Sequence, residues 1–146
     1  MDAVKKKLLE TIQTLVAKSA VAPPVVELDD YFEGNTREDS IAPNQVGWGR
    51  PGLAELFASL KTIRARPDVQ AVLVGIHGDW VEALDAEESW PAAENVFIYT
   101  SARMSDVEKW IAGFKADGVI KGWPYGKHPA APEPQNGYAV YAICWD

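Results

Sequence analysis

The stretch VQAVLVGIH, residues 69–77, is apolar at both odd and even positions. A strand with one face in water alternates apolar and polar residues, whereas a strand covered on both faces is apolar throughout. This stretch therefore predicts a central strand covered on both faces. The next apolar run, NVFIYT at residues 95–100, is rich in β-branched and aromatic residues and predicts a second strand near 94–100. We expect these two strands to be antiparallel neighbours.

An amphipathic helix is predicted near the N-terminus, over about residues 3–19. Its apolar side chains recur at the spacing that the buried face of a surface helix requires. They are Val4, Leu8, Ile12, Leu15 and Val16. Lys5 and the two lysines that follow it are expected to turn mostly away from this face. Pro23 and Pro24 end the helix and stiffen the connection that follows.

Two further helices are predicted, near residues 51–65 and 105–115. The first begins with Pro51, which suits the first turn of a helix because its missing N–H is not needed there. The second begins with Ser105 and Glu108, which have the spacing of a capping box. The side chains expected in the core are Phe57, Leu60, Val72, Val74, Ile98, Trp110 and Ile111.

The order of the predicted elements favours an α+β fold. Two more strands are predicted, near residues 25–32 and 138–145, where apolar and β-branched residues are frequent. After the leading helix, the order is then strand, helix, strand, strand, helix, strand. This is the βαββαβ order of a ferredoxin-like sandwich, with a four-stranded antiparallel sheet and two helices on one face. We expect the extra N-terminal helix to cover part of the other face.

The 146 residues are expected to form a single domain, with an N-terminal helix and linker over residues 1–22 and the α+β core over 23–146. No apolar run reaches the ~18 residues of a membrane span, and polar residues interrupt what would be the apolar core of a signal peptide. The single cysteine, Cys144, excludes an intramolecular disulfide. We therefore expect a cytoplasmic protein that does not enter a membrane.

Negative charge is concentrated in two segments, and the formal net charge is −7. Residues 27–39 carry six carboxylates against one arginine, and residues 79–94 carry six carboxylates and no lysine or arginine. This distribution argues against nucleic acid as a partner, since binding phosphates requires clustered lysine and arginine. It is typical either of solvated loops or of a negative surface for a basic protein or a cation.

Three long loops are predicted, over residues 33–50, 78–94 and 116–137. Chain direction in a βαββαβ sheet brings all three to the same end. Long loops in a compact domain are often functional, and tryptophan is enriched where proteins bind partners. The candidate binding surface consists of Trp48, His77, Asp79, Trp80, Glu87, Glu88, Trp90, Trp123 and Tyr125. The alternative is that the aromatic side chains fold back as lids over the ends of the core.

The sequence contains no catalytic signature. It has no G-x-S-x-G nucleophile elbow, no phosphate-binding glycine loop, and no CxxC or HExxH zinc motif. We therefore expect no catalytic residue, no cofactor and no transition-metal site, although the acidic loops carry oxygen ligands of the kind that a hard cation needs. His77 either hydrogen-bonds a loop or acts as an acid or base oriented by Asp79 or Glu27.

Several short segments resemble a pattern found in small uncharacterised bacterial proteins. They are Trp90-Pro91, residues 96–101 (VFIYTS), Val107 with Trp110, Gly122-Trp123 and Cys144-Trp145-Asp146. The resemblance spans residues 27 to 146. It implies a bacterial source and brings with it no activity and no catalytic residue.

These observations predict a non-enzymatic acidic binding module. We expect it to engage a basic protein through its loops, as an immunity-type protein that neutralises a toxin does, because complementary charge speeds association and disfavours wrong partners. One alternative is a binding protein or enzyme that holds a small ligand in a pocket under the three loops, with His77 as acid or base and Trp48 or Trp123 stacked on the ligand. Another is a structural or oligomerisation role through an exposed sheet face.

Overall fold

A five-stranded antiparallel sheet forms the centre of the protein. The structure, a computed structural model, describes residues 2–145. The strands are β1 (Val25–Glu27), β2 (Val69–Ile76), β3 (Ala93–Thr100), β4 (Gly118–Lys121) and β5 (Ala139–Cys144). They lie in the order β1-β2-β3-β5-β4, and each strand is antiparallel to its neighbours. Strands β2 and β3 are therefore interior strands, as their apolar sequences predict.

Four α-helices contribute to one apolar cluster on one face of the sheet, the helical face. They are α1 (Ala3–Lys18), α2 (Leu28–Phe32), α3 (Leu53–Arg64) and α4 (Met104–Trp110). Leu56 and Leu60 of α3 and Ile98 of β3 are fully buried in this cluster. None of the helices within residues 2–145 combines the length and the apolar character needed to cross a membrane.

The opposite face of the sheet, the loop face, is covered by residues 122–138, which form neither helix nor strand. Trp123 packs on Phe97 of β3, with ring centroids 4.3 Å apart, and Ala131 lies in the same apolar cluster. The Tyr99 hydroxyl donates a hydrogen bond to the Pro132 carbonyl oxygen at 2.8 Å. Both faces of β2 and β3 are thus covered, one by helices and one by an irregular segment.

The predicted α+β class and the antiparallel pairing of β2 with β3 are confirmed, with Val72 opposite Ile98. The predicted four-stranded sheet is wrong, because β4 adds a fifth strand. A ferredoxin-like sheet is built from split β-α-β units, in which a third strand separates two parallel strands. Here β3, α4 and β4 form one such unit around β5. Strands β1 and β2 are instead adjacent and antiparallel, so the first half of the chain departs from the ferredoxin-like order.

The first strand is shorter than the predicted range 25–32. It ends at Glu27, and α2 follows at once. Asp29 and Asp30 lie in the first turn of this helix, where carboxylates are favourable because the helix dipole is positive there. Asp29 also forms an ion pair with Arg64 of α3, with Nη1 and Oδ1 3.1 Å apart. The paired aspartates that interrupt the strand pattern therefore mark the start of a helix.

Strand β4 lies inside the segment 116–137, which the sequence predicts to be a loop. It is four residues long and mostly exposed at the edge of the sheet, so no buried alternation marks it. The helix predicted at 105–115 begins at Met104. The backbone N–H of Arg103 donates to Asp106 Oδ2 at 3.2 Å, so Asp106 has the capping role predicted for Glu108.

Helix α1 packs on the helical face, where Leu8 and Ile12 join the cluster that contains α3. The expectation that it covers the other face is wrong, because residues 122–138 occupy that face. Lys5 also differs from its predicted exposed position, since it is only 2% exposed. Its ammonium group donates to the carbonyl oxygens of Ala86, at 2.7 Å, and Glu87, at 3.4 Å.

Most of the predicted core is buried. The buried members are Leu60, Val72, Val74, Ile98 and Ile111. Phe57 and Trp110 are half-buried at the outer edge of the helical face. The Lys61 ammonium lies 4.2 Å from the Phe57 ring centroid, and the Arg66 guanidinium lies 4.1 Å from that of Trp110. Each ring therefore has one side on the core and a cation on the other.

Leu60→Ala is expected to lower the free energy of unfolding by about 2–5 kcal/mol, because it removes a fully buried side chain and leaves a cavity beneath α3. Thr62→Ala changes an exposed side chain of the same helix and is expected to cost less than about 0.5 kcal/mol. Denaturant unfolding curves of both variants measure the difference. Similar losses in the two variants would contradict the position of Leu60 in the core.

The burial of Tyr99 on the loop face is expected to make the stability of the protein depend on pH in the alkaline range. Burial, and secondarily the negative charge of Glu133, raises the pKa of Tyr99 from 10.0 to about 12. The folded protein therefore holds this proton more tightly than the unfolded chain does. The contribution of Tyr99 to stability is fully present below about pH 10 and is lost as the pH rises from about 10 to about 12.

Tyr99→Phe is expected to make the free energy of unfolding fall less steeply with pH between about pH 10 and pH 12, because one titrating group is removed. Tyr138→Phe is the matched control, since Tyr138 lies outside the buried core. Urea unfolding at a series of pH values measures the slope for each protein. If Tyr99→Phe retained the wild-type slope, the burial of this hydroxyl would not be the source of the alkaline sensitivity.

Candidate functional site

The acidic segment 79–94 meets the last part of the segment 27–39 at one end of the sheet, here called the His77 end. At this end β2 finishes at Ile76 and β3 begins at Ala93, with the 3-10 helix Gly78–Leu84 between them. Residues 33–50 reach the same end, because Ile41 forms a parallel β-bridge with Ala93. Segments that are about forty positions apart in the chain are therefore neighbours in the fold.

Tyr31 and Trp90 hold these two segments together. The Tyr31 hydroxyl lies 3.0 Å from the Ser40 carbonyl oxygen and 2.7 Å from the Pro91 carbonyl oxygen. The Trp90 indole N–H donates to the Tyr31 carbonyl oxygen at 3.0 Å. Both rings are buried, and burial raises the pKa of Tyr31, so its hydroxyl stays protonated and can donate. A buried and satisfied network of this kind gives the two loops one defined arrangement.

Arg50 fixes the segment from Glu38 to Ile41 from the inside. Its guanidinium donates to the carbonyl oxygens of both residues at 2.6 Å and also to the Glu38 carboxylate. That carboxylate accepts a further hydrogen bond from the Leu53 N–H, at 3.1 Å, where α3 begins. Arg50 is 8% exposed, and its planar set of five donors suits such a convergence of acceptors. The charge of Glu38 is thus offset within the fold.

A small groove of about 150 Å³, the acidic groove, lies between the two segments. Asp39 lines it from one segment, and Asp79 and Glu82 line it from the other; all three are exposed. Arg37 lies beside Asp39, with Nε 3.7 Å from Oδ1, and offsets part of the charge. The buried Trp90 also lines the groove. Among residues 2–145, no group of three or more His, Cys, Asp or Glu side chains is placed to hold a metal ion.

A second depression, the His77 cleft, shares the Gly78–Leu84 turn with the groove. Its volume is about 400 Å³, which falls in the range of about 300–1,000 Å³ typical of small-ligand sites. The aromatic side chains that line it are Trp80 and Tyr125. Glu94, at the start of β3, contributes a carboxylate, and residues 19–24 between α1 and β1 contribute small and apolar groups.

His77 lines this cleft with both ring nitrogens engaged. Nδ1 accepts a hydrogen bond from the Asp79 N–H at 2.9 Å, so the proton of the neutral ring lies on Nε2, which is 3.2 Å from Glu94 Oε2. The ring therefore lacks a free lone pair with which to take a proton from a substrate. Asp79 Oδ2 is 3.5 Å from Nδ1, whereas Glu27 pairs with Leu73, away from this end. The arrangement favours the hydrogen-bonding role over acid–base catalysis.

The candidate residues divide among several environments. His77, Trp80 and Tyr125 line the cleft, and Asp79 and Trp90 line the groove. Within the described residues 2–145, three exposed candidates lie outside both depressions, and these are Trp48, Glu87 and Glu88. Trp123 is on the loop face, where it packs against Phe97 and Tyr99 and is not placed to stack on a ligand in the cleft.

The three long loops are predicted to meet at one end of the sheet, and this prediction is wrong for the third loop, residues 116–137. Strands β3 and β4 run in the same direction, so the chain leaves β4 at the end of the sheet opposite the His77 end. Residues 122–138 then cross the loop face, and Tyr125 reaches the cleft on the way. The prediction fails because it treats all of residues 116–137 as a loop, whereas β4 lies within this segment and carries the chain to the opposite end of the sheet.

Three important residues of this end were not singled out by sequence reasoning. Lys5 and Arg50 hold the loops from inside, but their carbonyl partners leave no pattern in the sequence. Glu94, in contrast, could have been predicted from the sequence as a neighbour of His77. If the strands near 69–77 and 94–100 are antiparallel neighbours, the residue after the first strand lies close to the beginning of the second. In the structure the backbone N–H of His77 accordingly donates to the Ala92 carbonyl oxygen at 2.8 Å, which places His77 beside the start of β3.

Comparison with known proteins places this chain in a family. A family model described as the uncharacterized protein YfbO family matches residues 3–143, a range that includes both acidic segments and the cleft. Neither the search of curated proteins nor the search of solved structures gave a match. The expected resemblance to proteins of no assigned activity is confirmed. Since the match covers nearly the whole sequence, the chain belongs to the uncharacterized protein YfbO family.

Proposed function

We propose that this protein is a non-enzymatic binding module that engages a basic protein through the acidic groove. The observation that carries the proposal is the meeting of carboxylates from two distant segments, Asp39 from one and Asp79 with Glu82 from the other. Like charges brought together repel each other and do not stabilise the isolated fold. A positively charged partner would offset this repulsion on binding. The cluster of carboxylates is therefore better explained by recognition of such a partner than by stability of the fold.

The buried hydrogen bonds that order the groove support a role in binding. Tyr31 and Trp90 connect the two segments through buried hydrogen bonds, and Arg50 holds one of them by the backbone carbonyl oxygens of Glu38 and Ile41. A surface that is already ordered before association loses less conformational entropy when the partner arrives. Its carboxylates are carried on an ordered backbone and can therefore select partners by the spacing of their positive charges.

The loop that follows the groove extends the negative surface. Asp85, Glu87 and Glu88 are exposed in the segment between Leu84 and Trp90. Exposed charges of one sign attract an oppositely charged partner over a distance comparable to the Debye length, which is about 8 Å at 0.15 M salt. These carboxylates would thus speed the encounter, and the groove residues would contact the bound partner.

An immunity-type role, in which the protein neutralises a basic toxin, agrees with these properties. Such a protein needs fast and selective association and performs no reaction, and His77 has both ring nitrogens engaged in hydrogen bonds within the fold. We further propose that the protein is bacterial and acts in the cytoplasm. The sequence resemblance supports the first statement, and the single cysteine agrees with the second.

The test compares two variants with equal changes in net charge. Glu82→Lys/Glu88→Lys reverses charge at the groove and the adjoining loop, and Glu10→Lys/Glu108→Lys reverses charge at exposed positions on α1 and α4. Immobilised wild-type protein and both variants are used to capture proteins from a bacterial lysate at low salt. The partner retained by the wild type is then purified, and its association rate with each protein is measured by surface plasmon resonance.

The groove variant is expected to associate at least about tenfold more slowly than wild type, whereas the control keeps most of the wild-type rate. The wild-type rate should fall as salt rises from about 0.01 M to 0.15 M, because the Debye length shortens from about 30 Å to 8 Å. Thermal unfolding should show that both variants fold, since exposed charges contribute little to stability. Equal rates for the two variants, or the absence of any basic protein among those captured, would overturn the proposal.

A further inference from the structure

We propose that the His77 cleft binds an alkyl cation, that is, an ammonium or guanidinium group carried on a short aliphatic stem. The proposal concerns the cleft alone and does not depend on the partner of the acidic groove. It rests on four features of the cleft: an acidic group whose charge is not offset, two aromatic side chains, the C-terminal end of a helix, and an apolar lining of suitable size.

The charge of the cleft comes from Glu94. Its side chain is 26% exposed, and its Oε2 atom is the one that faces His77. Because His77 Nδ1 accepts the Asp79 N–H, Nε2–H is the group that faces Glu94, and in this tautomer the imidazole donates a hydrogen bond without cancelling the charge. Within residues 2–145, no lysine or arginine lines the cleft. A carboxylate can accept several hydrogen bonds, so Glu94 retains the capacity to bind a cationic donor.

Trp80 and Tyr125 add a second kind of attraction. The π-face of an aromatic ring attracts cations, and tryptophan and tyrosine do so strongly. Trp80 is half-buried and packs against the core cluster of the helical face, which fixes its position. Tyr125 approaches from the irregular segment that covers the loop face and is 57% exposed. Such rings also pack well against an aliphatic stem.

The end of α1 favours positive charge in the same place. Helix α1 finishes at Lys18, and Val16, Ser19 and Ala20 of its last turn and C-terminal end line the cleft. The C-terminal end of a helix carries a partial negative charge and attracts cations. Lys18 itself is exposed and is not among the lining residues, so the cleft stays open to a cation from outside.

The remaining lining residues suit an aliphatic stem. Val21, Pro23, Pro24 and Ile76 contribute apolar groups to a cleft of about 400 Å³. A larger anionic ligand would face the carboxylate of Glu94 without a basic group to offset it. The combination of apolar surface and one carboxylate therefore selects a small cation with an apolar stem.

The experiment titrates the isotopically labelled protein with pentylammonium and butylguanidinium chloride and follows the backbone amide of Gly78 and the indole N–H of Trp80 by two-dimensional NMR. We expect both signals to shift, with dissociation constants in roughly the millimolar range for ligands of this size. The neutral 1-pentanol and the anionic pentanoate have similar stems. They are expected to bind at least about tenfold more weakly, because they lack the charge-assisted hydrogen bond.

Two variants connect the binding to the cleft. Glu94→Gln preserves the size of the side chain and can still accept the hydrogen bond from His77, and it is expected to weaken cation binding by about ten- to a hundredfold. Glu88→Gln removes the same charge from an exposed loop position outside the cleft and is expected to bind as wild type does. Tyr125→Leu removes an aromatic ring from the cleft and is expected to weaken binding by about two- to thirtyfold, with thermal unfolding measured alongside.

A further arm identifies the source of the cation. Blocked tripeptides with a central lysine or arginine present the same groups as a polypeptide would. Tighter binding of these peptides than of the free amines would assign the cleft to a side chain of a protein partner, and the reverse order would assign it to a free small molecule. The proposal is overturned if no cation shifts the reporter signals, if 1-pentanol binds as tightly as pentylammonium, or if folded Glu94→Gln binds as wild type does.

Discussion

Strands β2 and β3 are apolar on both faces, and the rest of the structure depends on covering both faces. Helices cover the helical face. Leu73 and Phe97 on the loop face are shielded by residues 122–138, an irregular segment whose backbone polar groups need partners if they are to be buried. His128 meets part of this requirement, because its Nδ1 accepts the Ala130 N–H and its Nε2 lies 2.7 Å from the Leu15 carbonyl oxygen. The covering segment is thereby attached to α1.

This way of closing the loop face also creates the cleft. Residues 122–138 run from the end of β4 toward the C-terminal end of α1, which brings Tyr125 to the same depression as Trp80. The antiparallel pairing of β2 with β3 independently brings Glu94 next to His77. Three parts of the chain with separate structural roles therefore meet at one place. The depression contains a carboxylate and two aromatic side chains because the end of α1, the connection between β2 and β3, and the segment 122–138 meet there.

The sequence predicts the elements whose residues follow one local rule. Leu60 lies in a regular helical pattern and Val72 in an apolar run, and both are buried as expected. Lys5 could not be predicted, because its burial depends on carbonyl acceptors about eighty positions away in the chain. Trp90 and Trp123 show the same difficulty at the candidate site. Composition does not distinguish a tryptophan that binds a partner from one that packs internally, since the difference lies in the groups that surround its ring.

The positions of the positive charges explain how the His77 end can be both rigid and negatively charged. Flexible loops usually gain order from contacts with neighbouring side chains, and surface cations that supplied those contacts would also pair with the exposed carboxylates. Lys5 and Arg50 are instead buried and bind carbonyl oxygens beneath the loops. They order the backbone from the inside, where a partner cannot reach them. Asp79 and Glu82 stay exposed on an ordered backbone, which is the arrangement that the proposed charge-directed recognition would require.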